Sequence, residues 1–300
     1  MSQIVQCVPN ISEGRCLDTV EKIVDQVRRT EGIQLLDYSS DHDHNRSVIT
    51  YVGDLKAVQE ASFRLTETAV NLIDMEKHQG AHPRIGAVDV IPFIPIEAVT
   101  MEQCIKAAEA LGLRINKELG VPVYLYGEGA KLPARKNLSN IRRGQYEGLK
   151  EAIKEKDRHP DFGQPKMHKT AGAVVVGARQ PLIAFNVNLG TADKKIADRI
   201  ARAVRGSGGG FKYVKGMGVV LEERNQVQVS MNLENYARTP IHRVLETIRR
   251  EAARYGVPVV GSELVGLVPQ KALLDTAAWY LQLENFATQQ VLENRLRSGE

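Results

Sequence analysis

The sequence predicts an α+β protein made of two subdomains, each built on one split β-α-β unit. Three observations carry this. The element order strand–helix–strand–strand–helix–strand can be read once over the first ninety or so residues and again from residue 182. The helical stretches carry one apolar stripe at a spacing of three and four residues, while the strands are short and rich in Val and Ile. A polar stretch with two prolines and two glycines, EAIKEKDRHPDFGQPKMHKTAG at 151–172, lies between the two readings.

In the first unit, IVQCV (4–8) reads as a strand. Asp18 and Glu21 have the spacing of a capping box, and Val20, Ile23, Val24 and Val27 then form one helical face that Gly32 ends. IQLLDY (33–38) and SVITYV (47–52) are expected as two strands. Asp54 should cap a second helix whose apolar side is Leu55, Val58, Leu65 and Leu72. IGAVDVIPFI (85–94) closes the unit as a strand.

The connecting region begins with a capping box, Thr100 and Gln103, opening a helix that reaches about Leu119, and VPVYLYG (121–127) follows as a strand. In the second unit LIAFNVNL (182–189) is a strand, and Thr191 should cap a helix with Ile196, Ile200 and Val204 on one face. YVKGMGVVLE (213–222) and QVQVSMNL (226–233) are strands. Thr239 and Pro240 start a helix with Val244, Leu245 and Ile248 inside and Gly256 as its stop. VPVVGSELVGL (257–267) is the last strand, and Pro269 to about Arg297 reads as helix with Ala272, Leu273, Ala277 and Tyr280 as its buried stripe. The fold expected is two ferredoxin-like units with antiparallel or mixed sheets and helices on one face, divided as residues 1–178 and 179–300.

Composition narrows the function. Of 300 residues 43% are hydrophobic and 25% charged, the balance of a globular chain, and 40 Lys and Arg against 36 Asp and Glu leave a net charge of only +4. That is too mild for bulk nucleic-acid binding but suits small anions in a local basic cleft. Aromatics are 5%, and no strand carries the aromatic pattern of an RNA-reading sheet. The three cysteines, Cys7, Cys16 and Cys104, form no C-x-x-C pair, so a reducing cytoplasm is expected and a disulfide framework is not. No leader and no membrane span are expected, the longest small or apolar run being AGAVVVGA at 171–178.

The seven histidines are the most informative residues. His42 and His44 fall in SSDHDHNR, His78 and His82 in KHQGAHPRIG, His159 and His168 in the 151–172 stretch, and His242 on a helix. An H-x3-H pair chelates a metal when helical, but Gly80 and Pro83 flank His82 and place the pair on a loop, so no metal is expected. A histidine on a fixed loop before a strand offers a proton-transfer group near neutral pH. By default Asn10, Ser12, Glu13 and Gly14 are turn residues, RGSGGGF (205–211) is a flexible loop, and the RRG run at 142–144 with Lys166 and Lys169 are solvated charges.

Taken together, CVPNISEG, NRSVITYVG, HQGAHPRIGAVDVIPFIP, VPVYLYGE, GARQPLIAFNVNLG and VVGSELVGLVPQKALLD closely resemble, in order, the glutamate formimidoyltransferase family, a resemblance that runs from residue 1 to about residue 285. The resemblance implies transfer of the formimino group of N-formimino-L-glutamate to N5 of tetrahydrofolate, giving 5-formiminotetrahydrofolate and glutamate, within histidine degradation. It implies two α/β subdomains per chain, a homodimer, tetrahydrofolate as co-substrate and folate in a groove between the subdomains. It places the catalytic histidine at His82 and the folate-binding stretch on Gly163, Gln164, Pro165, Lys166, Met167, His168, Lys169, Thr170, Ala171 and Gly172. Relatives fused to a cyclodeaminase carry an acid two residues after the Asp37 equivalent, where this chain has Ser39 followed by Asp41 and Asp43; the fused domain is not expected here.

The chemistry asks for a proton shuttle, because the glutamate nitrogen must leave as a neutral amine, and His82 is the expected general base and acid. The substrate carboxylates ask for cations. Arg46 and Arg84 are the expected partners beside His82, with Lys166 and Lys169 as second choices. Formyl transfer from N-formylglutamate and a metal-dependent hydrolase using His42, His44, His78 and His82 are the competing enzymatic readings.

Overall fold

A computed structural model of the chain describes residues 3–298. It divides into two compact units, Met1–Arg179 and Gln180–Glu300.

In the first unit β1 (Ile4–Cys7) and β2 (Asn10–Ile11) are two pieces of one strand, lying between β4 (Arg46–Gly53) and β5 (Val88–Glu97) and antiparallel to both. β3 (Ile33–Asp41) pairs antiparallel with β4 on the outside. Beyond β5 the sheet continues in parallel with β7 (Val174–Ala178) and then β6 (Val123–Gly127). The spatial order β3, β4, β1/β2, β5 is that of a split β-α-β unit, and β7 and β6 extend it.

β7, like the short helices between β6 and it, is absent from the sequence reading. Val174 and Val176 face one core while Ala173 and Val175 face another, so the strand is buried on both sides and its apolar run shows no alternation. On one side α1 (Leu17–Arg28), α2 (Leu55–Leu72) and α3 (Met101–Leu119) pack over Val5, Ile49, Ile91 and Phe93. On the other, Ile141, Leu149 and Ile153 from the short α4 (Leu138–Ile141), α5 (Gln145–Ala152) and the turn after it cover Ile85, Val90, Tyr124 and Tyr126.

Several local expectations change. Asp18 makes no capping box: the residue before α1 is Cys16, and its turn is held by Glu13, whose Oε1 accepts from the N–H of Gly14, Arg15 and Cys16. Leu72 is exposed, and the buried side of α2 is a broader one that includes Ala61, Phe63 and Ala69. The Thr100–Gln103 capping box and the Asp54 cap form as the spacing predicts.

The second unit is a four-stranded antiparallel sheet of order β11 (Val259–Val265), β8 (Ile183–Leu189), β10 (Gln226–Leu233), β9 (Val214–Leu221). α6 (Lys194–Val204) and α7 (Ile241–Ala253) bury Ile200, Val204, Val244 and Ile248 against Phe185, Val187, Val227 and Val229. Asp193, not Thr191, caps α6; the Thr191 hydroxyl accepts from the Asp193 N–H one turn earlier. The expected terminal helix is broken into α8 (Gln270–Leu281) and α9 (Leu292–Ser298), because Gln282 turns left-handed. Of its expected stripe only Ala272 is buried, while Leu273, Ala277 and Tyr280 are exposed.

Candidate active site

Three loops meet where β5 begins, and close backbone approach holds them. A Cβ on Gly14 would lie 2.4 Å from the Asp41 carbonyl oxygen, and one on Gly80 would lie 2.3 Å from that of His44. Asn45, at φ 46°, ties the loops together. Its Oδ1 accepts from Gly14 N–H at 2.9 Å and its Nδ2 donates to the Gln79 carbonyl at 2.9 Å. Ala81 N–H donates to the Asp43 carbonyl at 3.1 Å, fixing the backbone beside His82. Residues with ordinary turn chemistry in the sequence thus become the frame of a site: Ser12 bonds the Gly86 carbonyl at 2.7 Å, and Asn10 Oδ1 accepts from Arg46.

His82 stands in this frame, half-buried, with no hydrogen-bond partner for its ring among the described residues. Its pKa is pushed down to about 2, first by burial and then by the positive field of Arg46, Arg142, His44 and Arg84. The ring is therefore neutral at pH 7, and these surroundings oppose its protonation. Among the described residues no carboxylate bonds it: Asp41 accepts from His44 instead, at 2.9 Å from Oδ2 to Nδ1, and Ser39 is exposed.

The guanidinium groups divide into two kinds. Arg84 is buried, and all of its N–H groups have partners within the protein. Nε donates to His78 Nδ1 (3.1 Å), Nη1 to Gln145 and Glu147, and Nη2 to Glu147 Oε1 (2.7 Å) and the His78 carbonyl. Arg84 is a brace between the His78 loop and α5, with no donor to spare for a substrate. The same contacts occupy His78, whose Nε2 bonds the Asn45 carbonyl at 2.9 Å, so both of its ring nitrogens are engaged and the His78/His82 pair offers no metal clamp.

Arg46 and Arg142 are the second kind. Each has a buried Nε–H with no acceptor. Among the described residues Arg46 otherwise bonds only Asn10, at 3.1 Å from Nη1, and Arg142 pairs through Nη2 with Asp89, which is fully buried in β5. A buried N–H without a partner is costly unless something else supplies an acceptor. Two such groups, whose fields both reach His82, form a positive corner with unmet donors. Arg142, read from the sequence as a solvated charge, belongs to this corner in place of Arg84. One signal pointed to it: Asp89 sits alone in the apolar run GAVDVIPFI, and a buried carboxylate requires a cation.

The stretch 163–172 is not a linker but a built turn. His168 and Gly172 exchange backbone hydrogen bonds of 3.0 and 3.2 Å, and His168 Nδ1 accepts from Ala171 N–H at 3.0 Å. Thr170 and Ala171 are pinned through their carbonyls to Met75 and Ala87, and Gly172 bridges to Gly86, four residues from His82. Further out, Gly163, Gln164, Lys166, Met167, His168 and Lys169 face Asn116, Gly120 and Pro122 across a cavity of about 790 Å³. Pro165 is half-buried beside it. His82, Arg46 and Arg142 do not line this cavity; both sites lie at the end of the sheet where the parallel strands β5, β7 and β6 begin.

Comparison with known proteins gives the family of the chain. Residues 4–179 match the family described as "Formiminotransferase domain, N-terminal subdomain", and residues 184–296 match "Formiminotransferase domain". A "Glutamate formimidoyltransferase" of Streptococcus pyogenes serotype M1 is 51% identical over 99% of both chains, and one of Thermoplasma acidophilum is 50% identical over 99% of this chain and 98% of its own. The "Formimidoyltransferase-cyclodeaminase" of Rattus norvegicus is 48% identical over 95% of this chain, which covers 53% of that protein. With both halves matched in order and half the residues shared along the whole length, the chain belongs to the formiminotransferase family.

Proposed function

We propose that this protein transfers the formimino group of N-formimino-L-glutamate to N5 of tetrahydrofolate, with His82 carrying the proton and Arg46 and Arg142 holding substrate carboxylate. The observation that carries the reading is the pair of buried, acceptor-less Nε–H groups beside a neutral imidazole.

The reaction needs one proton removed from the attacking amine and one delivered to the departing glutamate nitrogen. His82 begins neutral and serves as base. An anion bound by Arg46 and Arg142 cancels part of the positive field that holds its pKa down, so His82 retains the proton long enough to return it as acid. Such a group is worth about 10²–10⁴ in rate. Lys166 and Lys169, on the wall of the 790 Å³ cavity, supply cations for the acidic tail of the folate. Gly163 to Gly172 form the folate-binding turn, with Arg84 bracing the His82 loop from behind. The working form is a homodimer in a reducing cytoplasm, in keeping with three free cysteines, and sedimentation tests the dimer.

Purified protein, tetrahydrofolate and formiminoglutamate are mixed and then acidified, converting 5-formimino product to the strongly absorbing methenyl form. Signal from wild type and its loss in His82→Ala supports the reading. Consumption of formiminoglutamate without folate product overturns it in favour of hydrolysis. An Arg46→Ala variant with unchanged KM for both substrates removes Arg46 from the anion corner.

A further inference from the structure

The two ring nitrogens of His168 face different tasks. Nδ1 accepts from the backbone N–H of Ala171 at 3.0 Å and, at 3.4 Å, from that of Thr170. A backbone N–H only donates, so Nδ1 carries no hydrogen and the ring hydrogen sits on Nε2. The turn itself locks this tautomer. The Thr170 and Ala171 carbonyls are held by Met75 and Ala87, and His168 and Gly172 exchange backbone bonds, so the two N–H groups stay aimed at Nδ1. Burial lowers the pKa of His168 from the ordinary histidine value, which keeps the ring neutral at pH 7.

Nε2–H lies on the opposite side of the ring, with no protein acceptor among the described residues, and His168 is a half-buried part of the wall of the 790 Å³ cavity. Lys166 and Lys169 are the charged side chains of that wall, and neither is in an ion pair among the described residues. The facing residues, Asn116, Gly120 and Pro122, carry no charge, and Asn116 Nδ2 already donates to the Val121 carbonyl at 3.1 Å. Two ammonium groups and a fixed neutral N–H, with no carboxylate in the same wall, suit a carboxylate, whose oxygens accept from all three.

Both substrates of the transfer reaction carry glutamyl carboxylates, but the cavity favours one of them. His82, Arg46 and Arg142 do not line it. In formiminoglutamate the reacting carbon and the carboxylates are only a few bonds apart, whereas in tetrahydrofolate a benzoyl ring stands between N5 and the glutamyl tail. We infer that His168 donates from Nε2–H to a glutamyl carboxylate of tetrahydrofolate, beside Lys166 and Lys169, while its Nδ1 holds the turn closed. This rests on the transfer reaction proposed above and assigns one atom of the turn to one group of the folate.

His168→Asn and His168→Gln separate the two nitrogens. The Asn oxygen can take the place of Nδ1, with nothing in the place of Nε2–H; Gln reaches the place of Nε2 and leaves the Ala171 N–H without its acceptor. Dissociation constants of tetrahydrofolate and formiminoglutamate are measured by calorimetry, with melting temperatures alongside. His168→Asn should melt close to wild type and bind tetrahydrofolate about tenfold or more weakly, the effect of losing a hydrogen bond to a charged group, with formiminoglutamate unchanged. His168→Gln should melt lower than His168→Asn, and equal melting overturns the locked tautomer. Unchanged tetrahydrofolate binding by well-folded His168→Asn overturns the inference and leaves His168 a brace of the turn. A rise for formiminoglutamate, alone or equal to that for tetrahydrofolate, overturns the choice of the folate tail. One measurement needs no variant: the diamide of tetrahydrofolate, whose tail is uncharged, should bind wild type about tenfold or more weakly than tetrahydrofolate, and equal binding overturns the carboxylate contact. Wild type that binds both substrates but forms no folate product overturns the transfer reading instead, so the two failures are distinct.

Discussion

Arg84 and Glu147 are joined by two parallel N–H···O bonds of 2.7 and 3.0 Å, one partner buried and the other largely exposed. That asymmetry sets what each contributes. Glu147 remains solvated, so its pairing adds little, whereas Arg84 also supports His78 and Gln145 beneath the His82 loop. Glu147→Gln should cost no more than about 1 kcal/mol in chemical denaturation. Arg84→Ala should cost about 3 kcal/mol, since it strands several acceptors in a buried place. If Arg84 binds substrate instead, Arg84→Lys raises KM with no loss of stability.

Arg142 carries two roles that one substitution can separate. Its pairing with Asp89 neutralises a carboxylate that is 1% exposed, so Arg142→Ala should cost about 3–5 kcal/mol by leaving that charge unpaired, and Asp89→Asn should restore part of the loss. Arg142→Lys retains a cation for Asp89 but removes the planar fork and its orphaned Nε–H. The expected result is a melting temperature close to wild type and a KM for formiminoglutamate raised about tenfold or more. A KM that does not move would leave Arg142 a purely structural partner of Asp89.

His82 makes folding stability depend on pH in a definite direction. Its folded pKa, about 2, lies below the ordinary histidine value of about 6.5, so between these limits the unfolded chain binds the extra proton. Stability contributed through His82 is complete above about pH 6.5 and falls as the pH drops, by up to about 1.4 kcal/mol per unit. Between pH 7 and pH 5 the wild type should lose more stability than His82→Asn, and above pH 7 the two should change with pH alike. Curves parallel over the whole range would place the His82 ring in a far less positive environment than the Arg46–Arg142 corner.

Most of the longer elements were legible in the sequence where one face is buried and one is wet, whereas the two-turn α5 was too short to show its period. The α1 stripe of Val20, Ile23, Val24 and Val27 and the eight residues of β10 are cases in which periodicity alone is decisive. β7 was missed because burial on both faces erases the alternation. His82 was legible as a loop histidine before a strand, but its neighbours were not. Arg46, Arg84 and Arg142 have the same chemistry in a sequence, and only tertiary contacts show that one is fully engaged while two retain an open Nε–H. The turn 163–172 looked like a linker because its order comes from backbone bonds to Met75 and Ala87, which composition does not record.

Gly172 tests whether that turn must be built as it is. The residue has φ +74°, and a Cβ there would lie 2.4 Å from the Ile85 carbonyl oxygen and 3.0 Å from Gly86 Cα, both backbone atoms of the segment leading from His82 into β5. Gly120 has a similar φ of +67° with nothing within 4 Å of its would-be Cβ, so it isolates the conformational part of the cost. Gly120→Ala should therefore lose only about 1 kcal/mol, the penalty of placing a side chain in the left-handed region. Gly172→Ala adds a clash that neither backbone can relieve without parting the turn from the His82 segment. It should lose at least about 2 kcal/mol more and lower kcat as His82 shifts. Equal losses at the two glycines would mean that the turn can move away from Ile85 without consequence, and that its closeness to His82 does not matter to the reaction.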